Sequence, residues 1–228
     1  MPIRAIGFDL DETLAIPRRD RAVLLEAALT VVDGPPIDRE EYLDAHRKHH
    51  SGRDVDRRGH DTREPIFESV LSTYPEDDTD PGALTAAYRS VINDAIEPLD
   101  GVSELLDRLR TRYRVGLLTN GPSVAQRSKL DTLGWTDRFD AVVVTGELDA
   151  GKPDRVAFEA LLSALDAEPE ETIYVGDFPT EDVVGATRAG LRAIQVCYPD
   201  GPDPHPEATA TIDRDRLVRD LPGVVESL

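Results

Sequence analysis

Ile3-Arg4-Ala5-Ile6-Gly7-Phe8-Asp9-Leu10-Asp11-Glu12-Thr13 begins as an apolar run and ends in closely spaced carboxylates. Residues 3–8 lack the alternation of a strand with one wet face, so they read as a strand buried on both sides. Three further runs share this character: 113–118, Ala141–Val144 and 172–175. Helical stripes separate them. Val102, Leu105, Leu106 and Leu109 form one, residues 124–133 carry a second, and Ala157, Leu161, Leu162 and Leu165 a third. Strand alternating with helix predicts an α/β fold, a doubly wound parallel sheet of Rossmann-like type. Residues 192–196 and 209–212 are weaker strand candidates that would extend the sheet, and 199–206, with four prolines, reads as a loop.

Residues 17–96 break the rhythm, because they hold helical patterns and no convincing strand. Leu25, Leu29 and Val32 share a face; Ile66, Phe67, Val70, Leu71 and Tyr74 share another; Leu84, Tyr88, Val91, Ile92 and Ala95 share a third. This last helix should start at Asp80 as N-cap with Pro81 at its first position. At 228 residues the chain is long for one core and short for two. We therefore expect a Rossmann-like core of residues 1–16 and 97–228, carrying an inserted α-helical domain of residues 17–96 with crossings near Ile16 and Pro98.

Composition narrows the function classes. Hydrophobic residues make up 39% and charged residues 31%, which excludes disorder as a whole-chain description. No apolar stretch is long enough for a membrane span, and the first residues lack the layout of a secretion signal. One cysteine, Cys197, rules out an internal disulfide, so the expectation is a cytoplasmic protein without membrane partners. The net charge of -19 would repel nucleic-acid phosphates, which disfavours nucleic acid as a partner. Only three of the 26 basic residues are lysines: Lys48, Lys129 and Lys152. That imbalance, with the acid excess, suggests a halophilic protein; an ordinary acidic protein of a GC-rich genome is the blander reading.

In open parallel sheets ligands bind outside the carboxyl ends of the strands. The four main runs deliver Asp9-Leu10-Asp11-Glu12-Thr13, then Thr119-Asn120-Gly121-Pro122, then Gly151-Lys152-Pro153-Asp154, then Gly176-Asp177-Phe178-Pro179-Thr180-Glu181-Asp182. In this order they resemble the motifs of the haloacid dehalogenase superfamily, phosphatase type: Asp-x-Asp-x-Thr, a Ser or Thr, a Lys, and Gly-Asp followed by a second Asp. The resemblance covers the whole chain and includes a helical cap inserted after the first motif. Two departures stand out, Glu12 where glycine or asparagine is commoner and Phe178-Pro179 where Ser is frequent.

The resemblance implies a Mg2+-dependent phosphomonoester hydrolase acting on a small phosphorylated metabolite through an aspartyl-phosphate. Asp9 would be the nucleophile and Asp11 the general acid/base; side chains two apart on an extended segment point the same way, so both can address one group. Thr119, Asn120 and Gly121 would hold phosphoryl oxygens at a helix N-terminus, a place where simple capping uses the same geometry. Lys152 would neutralise nucleophile and phosphate. Asp9, Asp11 (through its backbone carbonyl) and Asp177 would ligate Mg2+, with Asp182 in or just behind that set. Carboxylates about 4 Å apart repel by roughly 4 kcal/mol at an effective dielectric near 20, so the cluster calls for a cation, and an oxygen-only set suits Mg2+ better than zinc.

Residues 46–64 carry six basic against four acidic side chains and four of the five histidines. Arg57 and Arg58 are candidates for binding a second anionic group of the substrate, against the alternative of a solvated, ion-paired segment; a metal site at His46, His49 and His50 lacks a pairing acid pattern. A phosphomutase shares the same core, whereas a 2-haloacid dehalogenase would lack an acid at position 11. A phosphoacceptor receiver, or an idle core used for binding, represents a different class. Monomer and homodimer are both open.

Overall fold

The computed structural model of the chain describes residues 2–50 and 63–228. Arg57, Arg58 and the side chains of His49 and His50 lie outside the described residues. The described residues form a six-stranded parallel sheet from β1 (Ala5–Phe8), β4 (Arg114–Thr119), β5 (Ala141–Val144), β6 (Thr172–Gly176), β7 (Arg192–Cys197) and β8 (Ala210–Asp213). Their order is β5-β4-β1-β6-β7-β8. The chain winds from β1 outward through β4 to β5, then returns to the other side of β1 for β6, β7 and β8. The carboxyl ends of β4, β1 and β6 are thus adjacent, with Phe8 level with Leu117 on one side and Val175 on the other. This is the topological switch point at which such sheets bind ligands.

Both faces of the sheet are dry, as the unbroken apolar runs require. On one face, Ile6, Phe8, Val115, Leu117, Ile173 and Val175 pack beneath α5 (Val102–Arg110), α6 (Ser123–Leu133) and α9 (Leu217–Ser227). On the other, Ala5, Leu118 and Tyr174 meet Phe158, Leu161, Leu162 and Leu165 of α7 (Arg155–Leu165) and Ala186 of α8 (Gly185–Arg188). Gly7 and Gly116 are cross-strand partners under α7. A Cβ on Gly7 would lie 2.5 Å from Leu161 Cδ2, and one on Gly116 2.7 Å from Leu161 Cδ1. Two glycines side by side make the flat floor on which Leu161 rests.

The chain between β1 and β4 contains α1 (Arg21–Val32), α2 (Arg39–His50), α3 (Arg63–Leu71) and α4 (Pro81–Ala95). These helices have their own buried cluster, including Leu24, Leu25, Ile66, Phe67, Leu84 and Tyr88. Asp80 caps α4 as expected, accepting from the Ala83 amide at 2.7 Å with Pro81 in the first turn. Where the sequence pattern shows no strand, these helices are flanked by a two-stranded antiparallel ribbon, β2 (Ala15–Pro17) against β3 (Ile96–Pro98). Strands this short carry no sequence period. Helix α9 was not foreseen either, because Pro222 lies inside it; Leu217, Leu221 and Val225 nonetheless form a buried stripe. Among the described residues no helix is long and apolar enough to cross a membrane.

Candidate active site

Asp9 follows β1 and stays in register for one further bond, its amide donating to the Val175 carbonyl at 2.9 Å. Its carboxylate is buried, and its Oδ1 accepts from Lys152 Nζ at 2.7 Å. The same ammonium donates to Asp182 Oδ1 at 2.6 Å and to the Tyr174 hydroxyl oxygen at 3.0 Å, while Tyr174 donates to the Leu118 carbonyl at 2.8 Å. Lys152 sits on the loop before α7, which Asp154 caps through the Val156 amide at 2.9 Å. Asn120 holds this loop: its Oδ1 accepts from the Lys152 amide at 2.9 Å, and its Nδ2 donates to the Lys152 carbonyl at 3.0 Å and to Glu181 Oε2 at 2.7 Å.

After β6 the chain turns through Asp177 into a π-helical turn, Pro179–Val184, which runs on into α8. Asp182, on this turn, folds back over the strand end and accepts from the Phe178 amide at 2.8 Å. The approach requires Gly176, where a Cβ would stand 2.4 Å from Asp182 Cγ. Asp177 accepts from Thr13 at 3.2 Å and from the Tyr198 hydroxyl at 3.1 Å, one bond to each oxygen. One ligand atom from each of Asp9, Asp177 and Asp182 falls within 4.8 Å of the others.

The carboxylate of Asp11 stands apart from that trio. Lys129 Nζ, from α6, donates to both its oxygens, at 2.7 and 2.5 Å, and Gln126 Nε2 adds a bond at 3.0 Å. Just after Asp11 the backbone turns at Glu12, which has φ +62°. Both carboxylates still line one cleft of about 250 Å³, together with Thr119, Asn120, Lys152, Asp177 and Asp182, and with the half-exposed ring of Phe178. Thr119 is buried and its Oγ1 accepts from Gln126 at 3.0 Å. Gly121 does not line the cleft, and its amide donates to Thr145 Oγ1 at 3.2 Å. Neither Thr119 nor Asn120 caps α6, whose N-cap is Pro122.

The electrostatics divide these acids into two kinds. Burial pushes Asp9 up, reinforced by Asp182 and Asp177 and opposed by Lys152. Burial likewise raises Asp177, with Asp182 adding to it, to about 7. Burial alone would lower the Lys152 ammonium, but Asp182 and Asp9 outweigh it and hold it well above the usual range. Asp11 goes the other way: burial would raise it, yet Lys129, Arg21 and Gln126 carry it down to about 2. Lys129, Gln126, Tyr174 and Tyr198 belong to no motif in the sequence and join the site only through the fold. Two of the three lysines, Lys129 and Lys152, thus hold site carboxylates.

Three buried carboxylates around one ammonium leave two negative charges when all are ionised. A divalent cation that prefers oxygen ligands balances that charge, so the donor set fits Mg2+.

A family model described as haloacid dehalogenase-like hydrolase matches residues 3–190. The glyceraldehyde 3-phosphate phosphatase of Methanothermobacter thermautotrophicus is 30% identical over 202 residues, 85% of each chain. The ribulose-1,5-bisphosphate 5-phosphatase of Halopiger xanaduensis is 29% identical over 225 residues, 93% of this chain and 90% of that one. Among solved structures, the HAD-hydrolase YfnB from Bacillus subtilis bound to magnesium superposes with a TM-score of 0.74 at 22% identity, covering 99% of both chains. The match over residues 3–190 makes this chain a member of the haloacid dehalogenase-like hydrolases. It is an enzyme, a hydrolase, and its curated relatives include phosphatases of small phosphorylated metabolites.

Proposed function

We propose that the chain is a Mg2+-dependent phosphomonoester hydrolase for a small organic phosphate, working through an aspartyl-phosphate at Asp9. The observation that carries the reading is a buried Asp9 carboxylate held by Lys152 at the floor of a cleft that also contains Asp11, Asp177 and Asp182. Lys152 fixes one Asp9 oxygen and leaves the other to attack phosphorus, while Asn120 holds the Lys152 loop in place. As the phosphorus–oxygen bond to the leaving group breaks, Asp11 protonates that oxygen, then accepts a proton from the water that cleaves the acyl phosphate. In the free protein Lys129 and Arg21 hold the Asp11 carboxyl down at about 2. Bound Mg2+, held by Asp9, the Asp11 carbonyl and Asp177 with Asp182 beside them, would supply charge neutralisation for nucleophile and phosphoryl group.

Residues 17–96 would act as the cap over residues 1–16 and 97–228. Arg21, first residue of α1, stands 3.7 Å from Glu12 and is felt by Asp11, which puts one insert cation at the rim of the cleft. Arg57 and Arg58 remain our candidates for holding a second anionic group of the substrate. The test is phosphate release from an aryl phosphate, with Mg2+ and with chelator, by wild type and Asp9→Asn. Turnover should require Mg2+ and fall in D9N by more than the roughly 10²–10⁴-fold typical of a lost general acid. Full-speed D9N would defeat the reading.

A further inference from the structure

Glu12 replaces the glycine or asparagine common in the family motif and has φ +62°, a conformation that strains a long side chain. A strained glutamate directly after Asp11 suggests that its side chain is used, and the structure shows by what. Its Oε2 accepts from Arg214 Nη1 at 2.8 Å, and the same nitrogen reaches the Glu12 carbonyl at 3.4 Å. The Arg214 guanidinium also lies 3.9 Å above the centre of the Tyr198 ring. Tyr198 in turn donates to Asp177 Oδ2 at 3.1 Å. Arg214, on the short 3-10 turn after β8, therefore joins the Glu12 turn, three residues beyond Asp9, to Asp177 by way of Tyr198. Tyr198 and Arg214 both lie beyond residues 3–190, the part of the chain that the family model matches.

We propose that Arg214 is a positioning residue for the metal-binding carboxylates, clamping the Glu12 turn and the Tyr198 ring so that Asp9 and Asp177 are held at a fixed spacing before the ion arrives. The inference rests on the Mg2+ reading of the site. A cation over the ring face strengthens the phenol as a donor, and only a planar guanidinium can stack on the ring while bonding a carboxylate at its edge. With Arg214 partly shielded and its side chain 20% exposed, these contacts are less screened than an ordinary surface pair. Partners that orient a ligating carboxylate typically govern metal affinity by about 10–100-fold.

The test is the Mg2+ dissociation constant, by titration calorimetry and by the Mg2+-induced rise in melting temperature. The proteins compared are wild type, Arg214→Gln, Arg214→Lys, Tyr198→Phe and the R214Q/Y198F double variant. R214Q should weaken Mg2+ binding by about 10–100-fold. R214K, which keeps the charge without the flat stack, should fall between R214Q and wild type. The double variant should be little worse than its weaker-binding parent, because both substitutions break one chain of contacts. An R214Q constant within about twofold of wild type, or losses that multiply independently in the double variant, would overturn the proposal. Should R214Q fail to fold, Y198F, which removes a single oxygen, decides the matter: unchanged Mg2+ affinity refutes the clamp. A wild-type protein that binds no Mg2+ would remove the Mg2+ reading of the site as well, so the two failures are distinguishable.

Discussion

Asp177 concentrates the cost of assembling acids in a dry cleft. Its folded-state pKa of about 7 exceeds the unfolded value of roughly 3.9, chiefly through burial and then through Asp182. Below the unfolded value both states hold the proton. Between there and about 7 the unfolded chain releases it while the folded chain keeps it, so this group's contribution to stability is lost as pH rises, and is flat above. The expected outcome in chelator is a wild-type melting temperature that declines across this window more steeply than that of Asp177→Asn; parallel profiles would contradict the assignment. Asp11 has the opposite sign. Its lowered pKa adds stability that is fully present above the unfolded value and lost only as pH falls toward about 2. The two effects therefore occupy separate pH ranges.

The elements matter because they set distances between residues. Helix α7 presents Leu161 to the sheet and, through the loop before it, Lys152 to Asp9. Its depth over the sheet depends on Gly7 and Gly116, which are in register with each other. In Gly116→Ala the new carbon would meet Leu161 Cδ1 at 2.7 Å and Leu165 Cδ1 at 2.9 Å, so these side chains of α7 must shift. We expect a loss of about 1–3 kcal/mol, measured as a lower urea midpoint, with impaired turnover because the Lys152 loop moves with α7. An unchanged midpoint would show that the helix accommodates the methyl freely. The π-helical turn works in a similar way at the other side of the site, bringing Asp182 back over Gly176.

At the scale of the whole molecule, the net charge of -19 is the dominant fact. Most of this charge lies outside the cleft and contributes self-repulsion that salt reduces; at molar salt the screening length is about 3 Å, shorter than most separations between surface charges. On the halophile reading, dialysis into dilute buffer should lower the melting point and erode the far-ultraviolet circular dichroism, and molar KCl should restore both. Unaltered spectra and melting in dilute buffer would rule that reading out. Among the described residues the buried apolar side chains form three clusters, one on each face of the sheet and one among α1 to α4, so salt acts on several small cores rather than one large one.

The sequence alone determined the layered α/β architecture and the approximate site. Double-sided apolar runs and helical stripes record burial directly, and a parallel sheet must expose its strand ends where Asp9, Thr119, Lys152 and Asp177 stand. The same local signals revealed Asp80 as the cap of α4. Tertiary structure alone decided which partners these residues take. Nothing local pairs Asp11 with Lys129, 118 positions away, or Glu12 with Arg214, 202 away. Nothing local shows that Asn120 grips the Lys152 loop, or that Gly121 turns its amide to Thr145. Spacing along a chain fixes direction over one strand or one helical turn; beyond that, the packing of separate elements decides which charges meet.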